Sequence, residues 1–112
     1  MEQRKVLVVE DESLIARALT KILNKLQYEI VGIANEADVA MSILEKQIPD
    51  IILMDIKIDG KLDGIQTAEL IRAKYDIPIV YMSSLDDQAT LDRAKETMPF
   101  GYVSKPFDEK DI

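Results

Sequence analysis

Ile51-Ile52-Leu53-Met54 is the stretch that most narrows what this chain can become. It is bounded by Pro49-Asp50 on one side and by a Gly- and Asp-rich loop, residues 56 to 64, on the other. The run is apolar at both odd and even positions. A strand with one wet face alternates. A strand apolar on both parities is buried on both faces, and that requires helices above and below a parallel sheet. Asp55 stands where the run meets the loop. In open α/β sheets ligands bind beyond the carboxyl ends of the strands, so Asp55 is placed for chemistry. Taken alone, an Asp after a strand is also an ordinary way to begin a turn.

The rest of the chain repeats the pattern. Lys5 to Val9 (KVLVV) reads as the first buried strand and ends in Glu10-Asp11-Glu12. Ser13 then caps a helix with Ile15, Leu19, Ile22, Leu23 and Leu26 at helical spacing. Glu29 to Ala34 reads as a second strand. Asn35 caps a helix carrying Ala37, Ala40, Met41 and Leu44 on one face. After the strand that ends at Asp55, Asp63 caps a helix with Ile65, Ala68, Ile71 and Tyr75 as its buried stripe. Ile77 to Met82 is the expected fourth strand, ending in Ser83-Ser84, and Asp86-Asp87 opens a fourth helical pattern. Phe100 to Val103 is a short fifth strand, followed by Lys105-Pro106-Phe107. Asp108 to Ile112 reads as the first turn of a fifth helix.

Five strands alternating with helices, without repeats or low-complexity linkers, imply a doubly wound parallel sheet with right-handed crossovers. Five strands suit the flavodoxin-like order 2-1-3-4-5. In that order the first and third strands are neighbours at the switch point, so Glu10, Asp11 and Asp55 converge. The fourth strand brings Ser83 beside them, and the fifth brings Lys105. Three carboxylates this close repel one another unless one is protonated or a cation sits among them. The chain has no cysteine and no histidine. The ligands are therefore oxygens and the cation is a hard one, Mg²⁺ or Mn²⁺. A hydroxyl and an ammonium facing that cation make a pocket for a doubly charged oxyanion. Each residue alone has a bland explanation: a solvated strand end, a helix cap, a surface charge. All of them at matching strand ends do not.

Composition bounds the remaining possibilities. With 112 residues, 47% hydrophobic and 31% charged, the chain makes one soluble globular domain able to bury a core without staples. The absence of cysteine removes disulfides and thiolate metal sites. The absence of histidine removes the usual general base and any phosphohistidine on this chain. A net charge of −7 argues against a nucleic-acid-binding surface. No apolar run approaches the roughly 18 residues of a membrane span, and the N-terminus leads straight into a strand, so a cytoplasmic protein is expected.

These motifs together resemble the receiver domain of two-component response regulators, and the resemblance covers the whole chain, residues 1 to 112. The matching pieces are the acidic pair in VLVVEDE, the Asp in ILMDI, the hydroxyl in IVYMSS and the GYVSKPF segment. The resemblance implies that Asp55 accepts a phosphoryl group from a phosphohistidine on a sensor histidine kinase or phosphotransfer domain. It implies that Glu10, Asp11 and Asp55 hold Mg²⁺ with the backbone carbonyl of Lys57. It gives Ser83 a phosphoryl oxygen to bind in the activated state and Lys105 an ion pair with the acyl phosphate. Tyr102 matches an aromatic switch residue that turns inward on activation. Such a domain is no enzyme in the ordinary sense, catalysing only its own phosphorylation and dephosphorylation. Glu10 where Asp is commoner and Ser83 where Thr is commoner are departures that keep every required group.

Two rivals remain at this level. A haloacid-dehalogenase-like phosphatase also uses an aspartyl phosphate, but its second Asp, two residues after the nucleophile, would fall on Lys57. A phosphorylation-independent interaction module of the same fold usually lacks the Asp or the Lys, and both are here. A last expectation concerns the end of the chain. Asp108 to Ile112 supplies little more than one helical turn, where covering one face of the sheet takes about three. The chain is therefore expected to be part of a longer protein, or to cover that face by self-association.

Overall fold

The computed structural model describes residues 4–56, 58, 62–83 and 101–104, with only the backbone of 83 and 101–104. Five strands and three helices lie within them: β1 (Lys5–Val9), α1 (Ser13–Lys25), β2 (Glu29–Ala34), α2 (Ala37–Lys46), β3 (Ile51–Asp55), α3 (Gly64–Lys74), β4 (Ile79–Ser83) and β5 (Gly101–Ser104). All strand pairings are parallel, and the sheet order is β2-β1-β3-β4-β5. This is the flavodoxin-like doubly wound arrangement expected from the sequence. The fourth and fifth helical patterns, and with them the expected truncation of the last helix, lie outside the described residues.

Alternation of side chains across the pleat divides the core into two layers. Leu7, Val9, Ile52, Met54, Ile79 and Tyr81 point to the side where α2 supplies Ala40 and Leu44 and α3 supplies Ile65, Ala68 and Ile71. Val6, Val8, Leu53 and Met82 point the other way, onto Leu19 and Leu23 of α1. β3 runs through the middle, and its residues from Ile52 to Asp55 are all buried. Burial on both faces is what its unbroken apolar run required.

The boundaries move by small amounts for identifiable reasons. β4 begins at Ile79 and not at Ile77, because Pro78 has no N–H to give the ladder. Its carbonyl still accepts from Ile52 N at 3.0 Å. The cap of α1 is Glu12 and not Ser13, and the cap of α2 is Glu36 and not Asn35; neither makes a side-chain capping bond. Asp63 does cap α3, in a full capping box. α1 closes in a Schellman turn, with Tyr28 N bonding Leu23 O, Gln27 N bonding Asn24 O, and Gln27 at φ 68°.

Candidate functional site

The acidic corner forms where β1 and β3, neighbours in the sheet, both end. Val9 pairs with Met54, so the next residue of each strand, Glu10 and Asp55, emerges at the same level at the carboxyl edge. Asp11 follows one residue later on the β1 side. One carboxylate oxygen from each of Glu10, Asp11 and Asp55 lies within 4.8 Å of the other two. Glu10 is 2% and Asp55 4% exposed, and Asp11 is half-buried.

Each side of this corner is held by its own backbone bonds. Glu10 N donates to Ala34 O at 2.8 Å, fastening the end of β1 to the end of β2. The Glu10 side chain folds back so that Oε1 accepts from Glu12 N at 3.2 Å, while Oε2 is also buried. On the other strand, Ile56 N donates to Met82 O at 3.2 Å, which extends the β3–β4 ladder one residue past Asp55. Gly64 N then donates to Ile56 O at 2.7 Å. The loop leaving Asp55 thus returns at once, and the first residue of α3 lies directly against the strand end.

Of the residues singled out in the sequence, the structure brings Glu10, Asp11 and Asp55 together. Ser83 is the last residue of β4, next to the Met82 that pairs with Asp55, and is itself paired with Ser104. Tyr102 lies in β5, paired with Tyr81. Lys57 and Lys105 lie outside the described residues. One residue escaped the sequence reading. Gly64 counted there only as a loop glycine, yet it makes the closest approach to the backbone of Asp55 anywhere among the described glycines. A glycine in the first helical position, just after a capping Asp, was the available signal.

The donor set suits a hard cation. All three groups are carboxylates, two are almost fully buried, and the chain offers no thiol or imidazole. Carboxylates buried side by side repel one another, so the cluster favours positive charge beside it.

Comparison with known proteins agrees with this geometry. Residues 6–112 match the response regulator receiver domain family. The transcriptional regulatory protein PdtaR of Mycobacterium tuberculosis is 36% identical over 109 residues, covering 97% of this chain and 53% of that protein. The chain therefore spans about half the length of the curated relatives it matches. The receiver domain of a modulated diguanylate cyclase from Desulfovibrio desulfuricans superimposes with a TM-score of 0.91 at 36% identity, covering 98% of this chain and 87% of that one. The receiver domain of a sensor histidine kinase from Pseudomonas aeruginosa, solved with a magnesium ion coordinated in its active-site cleft, gives a TM-score of 0.86 at 25% identity. That match covers 97% of this chain and 90% of the other. The fold, the acidic corner and these likenesses define a phosphorylation switch of two-component signalling. The chain belongs to the response regulator receiver domain family.

Proposed function

We propose that Asp55 is the phosphoacceptor of this receiver domain and that Glu10, Asp11 and Asp55 hold the Mg²⁺ on which the transfer depends. The observation that carries the reading is the convergence of the three carboxylates at the ends of adjacent strands. Lys57 adds its backbone carbonyl to the metal, Ser83 binds a phosphoryl oxygen, and Lys105 pairs with the acyl phosphate. Mg²⁺, when bound, offsets the charge on the phosphoryl oxygens; Mn²⁺ has the same preference for oxygen ligands.

The chain's own part in the reaction is positioning. An Asp55 carboxylate oxygen approaches phosphorus in line. A P–O bond forms as the P–N bond to the donor histidine breaks, and the imidazole nitrogen keeps the electron pair. Burial of Asp55 limits the water that reaches the product. No histidine exists on this chain, so the phosphohistidine comes from a sensor kinase or a phosphotransfer domain. The domain promotes only its own phosphorylation and dephosphorylation. The added charge draws Ser83 and the segment after it inward, and Tyr102 fills the vacated space. The surface made by β5 and the helical pattern before it then changes for a partner to read. We place the protein in the cytosol; no helix among the described residues is long and apolar enough to cross a membrane.

Intact mass spectrometry after incubation with acetyl phosphate and Mg²⁺ tests the assignment. One added phosphoryl group is expected, and it is lost in Asp55→Asn and in EDTA. Full labelling of the Asn variant would overturn the assignment. Absence of labelling in the parent chain would leave an interaction module that works without phosphate. Size-exclusion chromatography of the labelled and unlabelled chain reads out self-association.

A further inference from the structure

We infer that Gly64 is a positioning residue for phosphoryl transfer. Its missing side chain lets the first turn of α3 seat on the backbone of Asp55, and that seating sets where the Asp55 carboxylate stands. The inference rests on Asp55 as the acceptor. A Cβ built at Gly64 would collide with the carbonyl oxygen of Asp55. It would also stand 2.7 Å from Ile56 Cα and 2.8 Å from the carbonyl carbon of Asp55. All three are backbone atoms, so no change of rotamer relieves the overlap.

Neither side of the contact can retreat freely. Asp55 belongs to a strand paired on both edges, and its own partner in the ladder is Met82. Gly64 is tied by its N–H to Ile56 O at 2.7 Å. The turn behind it is locked by the capping box, with Gln66 N to Asp63 Oδ1 at 2.9 Å and Asp63 N to Gln66 Oε1 at 3.0 Å. Thr67 adds a hydroxyl bond to Asp63 O at 2.8 Å. Gly32 makes the contrast. A Cβ there would meet Ile43 Cδ1 at 2.7 Å, the far end of a flexible side chain.

A methyl group at position 64 therefore moves the Asp55–Ile56 peptide, the start of α3, or both. Displacement of the acceptor by about 1 Å is enough to cost on the order of a hundredfold in a reaction that depends on in-line alignment. In acetyl phosphate transfer, a P–O bond forms on Asp55 while the P–O bond to acetate breaks, and acetate leaves with the electron pair. Only the placement of the attacking oxygen depends on Gly64.

The experiment compares the parent with Gly64→Ala and Gln66→Ala. Gln66 is exposed, and its loss loosens the same helical turn without filling the space under it. Folded fraction is followed by urea titration, and the labelling rate by intact mass at saturating Mg²⁺. The expected result is a folded Gly64→Ala chain labelled at least about tenfold more slowly, and a Gln66→Ala chain slowed far less, because its loosened turn can still seat on Asp55. A purely structural role would lower the stability of both variants and leave the rate of the folded fraction unchanged, which would overturn the inference. A second readout needs no variant. In the ¹⁵N-labelled parent, phosphorylation of Asp55 moves the Gly64 amide resonance further than that of Gly32, and an unmoved Gly64 resonance overturns the inference. A parent chain that takes no label, or an Asp55→Asn chain that does, strikes the acceptor assignment instead.

Discussion

Two strand-to-helix corners face each other across the site, and they are built differently. At the end of β1 the chain passes through Glu10, Asp11 and Glu12 into α1 with no side-chain cap. The Glu10 side chain accepts from Glu12 N, and Leu14 in the first turn is 77% exposed. At the end of β3 the chain returns to pack Gly64 on the backbone of Asp55, and a reciprocal capping box locks the helix start. On the function proposed above, one corner presents two metal ligands and the other fixes the carboxylate that is both ligand and nucleophile. Metal binding repays the ordering of the ligands it gathers. For a nucleophile, position at the moment of attack sets the rate. The asymmetry follows from the two tasks.

Substitutions that act on one corner at a time test that division. The largest effect is on labelling by acetyl phosphate, which Asp55→Asn abolishes in the intact-mass assay. Next comes Asp11→Ala, which removes one ligand from the presenting corner. Its Mg²⁺ midpoint for labelling rises by at least about tenfold, while its urea midpoint stays near that of the parent. Gly64→Ala forces an overlap on backbone atoms and costs about 1–3 kcal/mol in urea unfolding, the range of overpacked interiors. Asp63→Ala loses the cap of α3 and costs about 1 kcal/mol. Glu12→Ala, at the equivalent position of α1, changes stability by less than about 0.5 kcal/mol, because its side chain makes no capping bond and its backbone bond to Glu10 remains. Equal losses at Asp63 and Glu12 would show that the two corners are the same after all.

Much of this was legible in the residues. An apolar run on both parities predicted a doubly covered β3. The spacing of Leu19 with Leu23, of Ala40 with Leu44, and of Ile65 with Ala68 and Ile71 predicted which helix faces are buried. Strand order then followed from the fold class, and the acidic corner from strand order. Caps were legible only where geometry obeyed composition. Asp63 makes the bond its side chain suggests, but Ser13 and Asn35 each stand one residue from the true cap, since helix entry is set by how α1 and α2 pack on the sheet. The seat under Gly64 was not legible. A glycine in a loop is permitted many conformations, and only the fold reveals that this one is there for lack of a Cβ. Lys57 and Lys105 are in the sequence pattern but outside the described residues, so their part rests on the motif.

Tyr81 has a practical consequence. Its side chain is 1% exposed, and in register it lies between Met54 of β3, next to Asp55, and Tyr102 of β5. The chain contains no tryptophan and four tyrosines, of which Tyr28 and Tyr75 are half-buried. Its near-ultraviolet spectrum is therefore a tyrosine spectrum. Its most enclosed chromophore among the described residues stands one strand from Asp55, in a dense and asymmetric apolar layer. A rearrangement between β3 and β5 would change that layer, so near-ultraviolet circular dichroism is the expected readout of the proposed switch, with no dye and no added residue.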